Sequence, residues 1–170
     1  PTVMSEEEYG AWNFCKEADI RRIVGENNTN LKIATMADVG RTIKEEIPLK
    51  SESVVDMIRV ATYIHQLPEA IELIEDFHAK GYETTCNIMA ISKSFDDELD
   101  QVLETLSKTN VDVIYIADSF GSFYPEQINK LTAKYLGASK PVGKKVGIHA
   151  HNNLTLAYAN TLEAMIYGTS

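Results

Sequence analysis

Val146-Gly-Ile-His-Ala-His-Asn-Asn153 is a short apolar stretch ending in two imidazoles two residues apart, and an alanine-rich amphipathic pattern follows it from Leu154 to Tyr167. In a strand, alternate side chains share a face, so His149 and His151 point the same way and can hold one ion between them. A strand that runs into a helix places such a pair at its C-terminal end, where α/β proteins build their ligand sites. So short a motif also recurs by accident, as two half-exposed histidines on a strand edge. The remainder of the chain has to decide between the two.

Upstream, Val111-Asp-Val-Ile-Tyr-Ile-Ala117 is a nearly continuous apolar run, the composition of a strand buried on both faces of a parallel sheet. Leu31–Met36, Val54–Ala61, Tyr82–Ile91 and Gly143–Ala150 read as further strands. Between them the apolar period changes to that of a helix. Glu69 to Lys80 is closed by Gly81, Ser94 is a candidate N-cap for a helix to Lys108, and Pro125 opens one to about Leu136. Ser5-Glu-Glu-Glu8 has capping-box spacing for a helix to about Asn27, and Arg41 to Lys50 is charged and expected to be helical. Five strands alternating with helices indicate a parallel sheet, either doubly wound or part of a (β/α)8 barrel. No strand is followed by a glycine-rich phosphate loop, which favours the barrel. A whole barrel takes eight units in roughly 250 residues. With five strands in 170 residues, residues 1–170 are therefore expected to be an incomplete barrel domain.

With 44% hydrophobic and 24% charged residues the chain has a globular composition, and its formal net charge of −9 opposes nucleic acid and anionic membranes as partners. No apolar run approaches the ~20 residues of a membrane span. Pro1 to Tyr9 are acidic where a signal peptide is basic and then apolar, so a cytoplasmic location is expected. Cys15 and Cys86 have no metal spacing and are read as buried, reduced thiols.

Three strand ends carry a resemblance: Ile58-Arg-Val-Ala-Thr62, Ile116-Ala-Asp-Ser119, and Gly147-Ile-His-Ala-His-Asn-Asn153 running into Leu156-Ala-Tyr-Ala-Asn160. Together they resemble the metal-dependent pyruvate lyase and aldolase family, the hydroxymethylglutaryl-CoA lyase-like barrels, and most closely its 4-hydroxy-2-oxovalerate aldolase branch. The resemblance implies a partial (β/α)8 TIM barrel, α/β in class, with strands 3 to 7 of 8. It implies a class II aldolase that cleaves a 4-hydroxy-2-oxo acid to pyruvate and an aldehyde, and that is inactive as this piece alone. His149 and His151 would ligate Mn2+ or Mg2+, for which imidazole and oxygen donors are suited. Ser119 would hold the pyruvate carboxylate, against the plainer reading of an Asp-Ser turn. The third ligand and the catalytic base would fall outside these residues.

Asp118 is expected to form an Asx turn or to orient a ligand, Arg59 to line the barrel or pair with a carboxylate, and Asn153 to cap the last helix. His65 and His78 are read as solvated or packed. The family also contains Claisen-type synthases that join acyl-CoA to 2-oxo acids, and the same barrel can serve as a silent binding module. By resemblance, the partners are a small 2-oxo acid, a further copy of the chain, and an acylating aldehyde dehydrogenase subunit.

Overall fold

The computed structural model describes residues 5–169. Pro1 to Met4, part of the acidic opening noted above, and Ser170 lie outside the described residues. Five strands, β1 (Ala34–Asp38), β2 (Met57–Thr62), β3 (Glu83–Ile88), β4 (Val113–Asp118) and β5 (Lys145–Ala150), form a parallel sheet in chain order. Helices α3 (Leu67–Ala79), α4 (Asp96–Ser107) and α5 (Pro125–Ser139) cross between successive strands from β2 onward, and α6 (Ala157–Tyr167) follows β5. A doubly wound sheet reverses its strand order at a switch point, whereas a barrel adds each strand beside the last. The unreversed order is that of a partial α/β TIM barrel.

The period of two divides each strand between two environments. Ile58 and Val60, Cys86 and Ile88, Ile114 and Ile116, and Val146 are buried against a helix layer that includes Leu73, Ile74 and Phe77 of α3, Leu103 and Leu106 of α4, and Ile128 and Tyr135 of α5. Each such side chain contributes about 1.5–3 kcal/mol on leaving water. The alternate positions make a second, more polar face, in which Arg59 pairs with Thr85, Asn87 and Gly147 flank Tyr115, and Ala117 pairs with His149. A one-residue slip would exchange the two faces, so burial fixes the register.

Two aspartates lace the N-terminal ends of the strands. Asp56 accepts the Ile33 N–H at 2.8 Å and Asp112 accepts the Thr84 N–H at 2.7 Å. Their own N–H groups bond to the carbonyls of those same residues, at 2.8 and 2.9 Å.

The structure corrects several expectations. The helix expected from Ser5 to Asn27 is broken into α1 (Glu6–Tyr9), a 3-10 turn over Ala11–Asn13, and α2 (Glu17–Val24). Ser5 does cap α1, its Oγ accepting the Glu8 N–H at 3.2 Å, but Gly10 and Cys15 take positive φ and interrupt the helix. Cys15 is half-buried, while Cys86 is sealed from solvent and burial pushes its thiol up to about 12, leaving it unreactive. Arg41 to Lys50 is not a helix: there are 3-10 turns at Lys44–Glu46 and Lys50–Glu52, and Ile43 and Ile47 are extended, the latter as the residue before Pro48. Phe95, not Ser94, occupies the N-cap position of α4, its N–H held by Glu98 Oε2 at 3.0 Å.

Candidate active site at the C-terminal ends of the strands

The end of β5 carries His149 and, one residue past the strand, His151; their ring centroids are 4.8 Å apart and tilted by 56°. His151 Nδ1 lies 2.8 Å from the Asp118 carbonyl oxygen. A carbonyl can only accept, so Nδ1 carries the proton, and in the neutral ring it is Nε2 that holds the lone pair for a ligand. This is the orientation of a metal-binding histidine whose other nitrogen is held by the protein. His149 Nδ1 faces Arg59 Nη2 at 3.5 Å, a length at which the contact does not fix the tautomer. Partial burial lowers the His149 pKa, and the charges of His151 and Arg59 lower it further, favouring the neutral ring that can ligate.

Asp118 does not form the expected Asx turn, since its carboxylate reaches N–H groups four and five residues on instead of two. Its backbone carbonyl holds His151, and its buried carboxylate accepts the Ser122 and Phe123 N–H groups at 3.0 and 3.3 Å, shaping the β4–α5 turn. The turn lies close to β5: a Cβ at Gly121 would stand 2.7 Å from Asn153 N and 2.8 Å from the His151 carbonyl oxygen. Glycine is also favoured there by a φ of +55°. Ser119 Oγ accepts the Ala90 N–H at 3.0 Å, tying the β3–α4 loop to the end of β4. Ala90 holds a left-handed φ of +55°, a strained conformation for a residue with a Cβ. The Ser119 hydroxyl proton remains free to be donated.

Arg59 lines the inner face, and among the described residues it belongs to none of the ion pairs. Its guanidinium lies 4.9 Å from the centroid of the Tyr115 ring. Asn153 does not cap the last helix; Asn152 Oδ1 accepts the Ala157 N–H at 3.1 Å instead. Asn160, at the end of the Leu-Ala-Tyr-Ala-Asn stretch, is buried and donates from Nδ2 to the Phe123 carbonyl at 2.9 Å, fastening α6 to the β4–α5 turn. His65 stacks on Tyr63 at 5.7 Å and His78 stands exposed on α3, so neither joins the pair. Among the described residues no third His, Cys, Asp or Glu completes a metal-binding group with His149 and His151. The two imidazoles fit two positions of a six-coordinate hard ion, with oxygen donors needed for the others.

Two residues at this site are not singled out by sequence reasoning: Tyr115 and Gly147. A glycine in the middle of a strand marks a close approach, and that signal was present at Gly147.

Known proteins share the fold and the family pattern of this chain. Residues 9–170 match the family model described as HMGL-like. A 4-hydroxy-2-oxovalerate aldolase of Geobacillus thermodenitrificans (strain NG80-2) is 27% identical over 82% of this chain and 40% of its own length. Its counterpart in Geobacillus genomosp. 3 is 25% identical over 96% of this chain and 47% of its own length. The N-terminal domain of a Bacteroides vulgatus protein described as an aldolase superposes with a TM-score of 0.71 at 26% identity, covering 99% of this chain and 54% of that one. The carboxyl transferase domain Y628A from Rhizobium etli pyruvate carboxylase, at 16% identity and a TM-score of 0.70, covers 94% of this chain and 28% of that one, and shares the fold. The chain thus spans about half the length, or less, of the curated relatives it matches. A parallel sheet in chain order, a histidine pair at the end of its last strand and a family model matching almost every residue lead to one conclusion: the chain belongs to the HMGL-like family.

Proposed function

We propose that these residues form part of a divalent-metal-dependent aldolase that cleaves a 4-hydroxy-2-oxo acid to pyruvate and an aldehyde, within a longer protein that supplies the remaining barrel units. The observation that carries this reading is the His149–His151 pair, with His151 Nδ1–H fixed on the Asp118 carbonyl at 2.8 Å so that Nε2 is presented as a ligand. Relatives named 4-hydroxy-2-oxovalerate aldolase support the substrate class.

His149 and His151 would hold Mn2+ or Mg2+, which when bound supplies the Lewis acidity that draws electron density from the substrate's keto oxygen. The chain's own groups position the acid. Ser119, its Oγ already accepting from Ala90, donates its hydroxyl proton to the pyruvate carboxylate, and the Asp118 turn keeps Ser119 and His151 on adjacent strand ends. Asn160 braces that turn from behind. An acylating aldehyde dehydrogenase subunit, which would consume the released aldehyde, and a second copy of the chain are the proposed partners.

The test is pyruvate release by the full-length protein from 4-hydroxy-2-oxovalerate, with and without EDTA. We expect activity that chelation abolishes and Mn2+ restores. Undiminished turnover after thorough chelation would refute the metal reading, and release of free CoA from acyl-CoA and a 2-oxo acid would replace the aldolase with a synthase.

A further inference from the structure

Gly147 lies in the middle of β5, and its φ is not left-handed, so backbone freedom does not explain the glycine. Space does. A Cβ at this position would stand 2.5 Å from Tyr115 Cε1 and 2.8 Å from its Cδ1 and Cζ, closer than real Cβ atoms approach anything. The two residues are register partners on the inner face, and the absence of a side chain on β5 is what lets the Tyr115 ring lie over the neighbouring strand.

The same ring carries the Arg59 guanidinium, which reaches from β2 with Cζ at 4.9 Å from the centroid. Arg59 Nη2 comes within 3.5 Å of His149 Nδ1, two residues beyond Gly147 on β5. Arg59 Nε is buried and has no hydrogen-bond partner. A buried donor on a permanent cation is costly to leave unpaired, and its natural complement is an anionic oxygen. Stacking on an aromatic face suits a guanidinium and leaves its N–H edge available for such an oxygen.

We propose that Tyr115, seated on Gly147, is a positioning residue for Arg59, holding the guanidinium beside His149 so that Nε–H donates to an anionic oxygen of the bound 2-oxo acid. Gly147 is the residue that makes this placement possible. This inference rests on the functional reading above and adds to it a substrate anchor and the two residues that aim it.

The experiment is a double-mutant cycle in the full-length protein, reading KM and kcat for pyruvate release and, separately, the affinity for pyruvate alone by calorimetry. Arg59→Ala and Tyr115→Leu each weaken pyruvate binding and raise KM by 10-fold or more. The double variant is no worse than Arg59→Ala, because a platform with nothing to carry has no further effect. Tyr115→Phe restores most of what Tyr115→Leu loses, since the ring and not the hydroxyl makes the contact. Gly147→Ala, if it folds, behaves as Tyr115→Leu does.

Losses that multiply in the double variant would overturn the proposal. So would losses that follow thermal stability while KM and pyruvate affinity per folded molecule stay unchanged, and that result would return Arg59 to a purely structural pairing. A wild-type protein that neither binds nor releases pyruvate would remove the functional reading and this anchor together. A wild-type protein that does both while the variants remain normal would remove the anchor alone.

Discussion

β2 and β4 begin alike and end differently. Val55-Asp56-Met57-Ile58 and Val111-Asp112-Val113-Ile114 share a pattern, and in each strand the aspartate clamps the strand before it through the same two hydrogen bonds. Three residues past each aspartate Arg59 stands where β4 has Tyr115, and after the matching Val60-Ala61 and Ile116-Ala117 the strand ends differ again, with Thr62 where β4 has Asp118. The shared half is what any strand of this sheet needs in order to enter in register. The divergent half faces the candidate site, and there each strand contributes a different group: a cation from β2, a ring and a turn-forming carboxylate from β4. Scaffold and chemistry are thus separated along the strand axis, as in barrels whose active sites lie at one face.

The largest test of that separation is at the C-terminal ends. His149→Ala or His151→Ala in the full-length protein is expected to lower kcat/KM by several orders of magnitude and to weaken Mn2+ binding measured by calorimetry, while the unfolding free energy changes little. Both side chains are exposed, so their removal opens no cavity. Unchanged metal affinity in both variants would make them ordinary strand-edge residues.

At the opposite ends the expected effects are reversed in kind. Asp112→Ala strips the acceptor from the Thr84 N–H, a residue with no solvent exposure, and should cost about 1–3 kcal/mol in urea unfolding. Asp56→Ala should cost less, because Asp56 and its ion-pair partner Lys50 are each one-third exposed and water screens the pair. Neither variant should alter kcat/KM per folded molecule. A tenfold loss of activity without unfolding would join the two halves of the strand that the comparison separates.

Asp56 adds a pH dependence. Burial raises its pKa, but the Ile33 N–H and the Lys50 ammonium together outweigh that effect and hold the carboxyl below its ordinary 3.8. A carboxyl depressed in the folded state binds fewer protons than in the unfolded chain, so its contribution is complete above the unfolded value and fades as pH falls through the folded one. Asp56→Asn should therefore narrow the stability gap to wild type below about pH 4, with a constant gap above about pH 5. Measuring unfolding from pH 3 to 7 checks this, and a gap independent of pH would show that the side chain acts through shape alone.

The sheet was legible in the sequence because its signal is local: Val111 to Ala117 is a nearly continuous apolar run, and helical patterns separate the strands. The candidate site could be proposed from residue types at strand ends, His149, His151 and Ser119, because a strand followed by a helix already specifies which end is the mouth. Contacts between strands were not legible. Nothing local says that the Asp118 carbonyl faces His151, or that the Tyr115 ring needs Gly147 beside it, since those pairs meet only when β4 and β5 align. The N-terminal helix failed for a related reason. Its apolar pattern has helical character, but positive φ at Gly10 and Cys15 interrupts it, and tertiary contacts such as Ser53 Oγ donating to Glu17 Oε2 at 2.7 Å hold α2 in place instead.

The smallest expected effect lies behind the sheet, where neither half of the comparison applies. Tyr135 of α5 is fully buried, and its hydroxyl has no hydrogen-bond partner. Burial pushes its pKa far upward, and the neighbouring Cys86 adds to the shift, so the group stays protonated and contributes no charge chemistry. A buried hydroxyl without a partner loses its hydration on folding and recovers nothing, whereas the ring beneath it packs against the apolar faces of the strands. Tyr135→Phe removes the cost and keeps the ring. Stability should then be unchanged or higher by up to about 1 kcal/mol, with kcat/KM unaffected. A loss above about 1 kcal/mol would mean that the hydroxyl is bonded in solution, with water or with Thr132 and Ser139 of the same helix, whose own buried hydroxyls also lack partners. The layer behind β4 would then contain a polar network of its own, and the division between a structural entry end and a chemical exit end would need a third region.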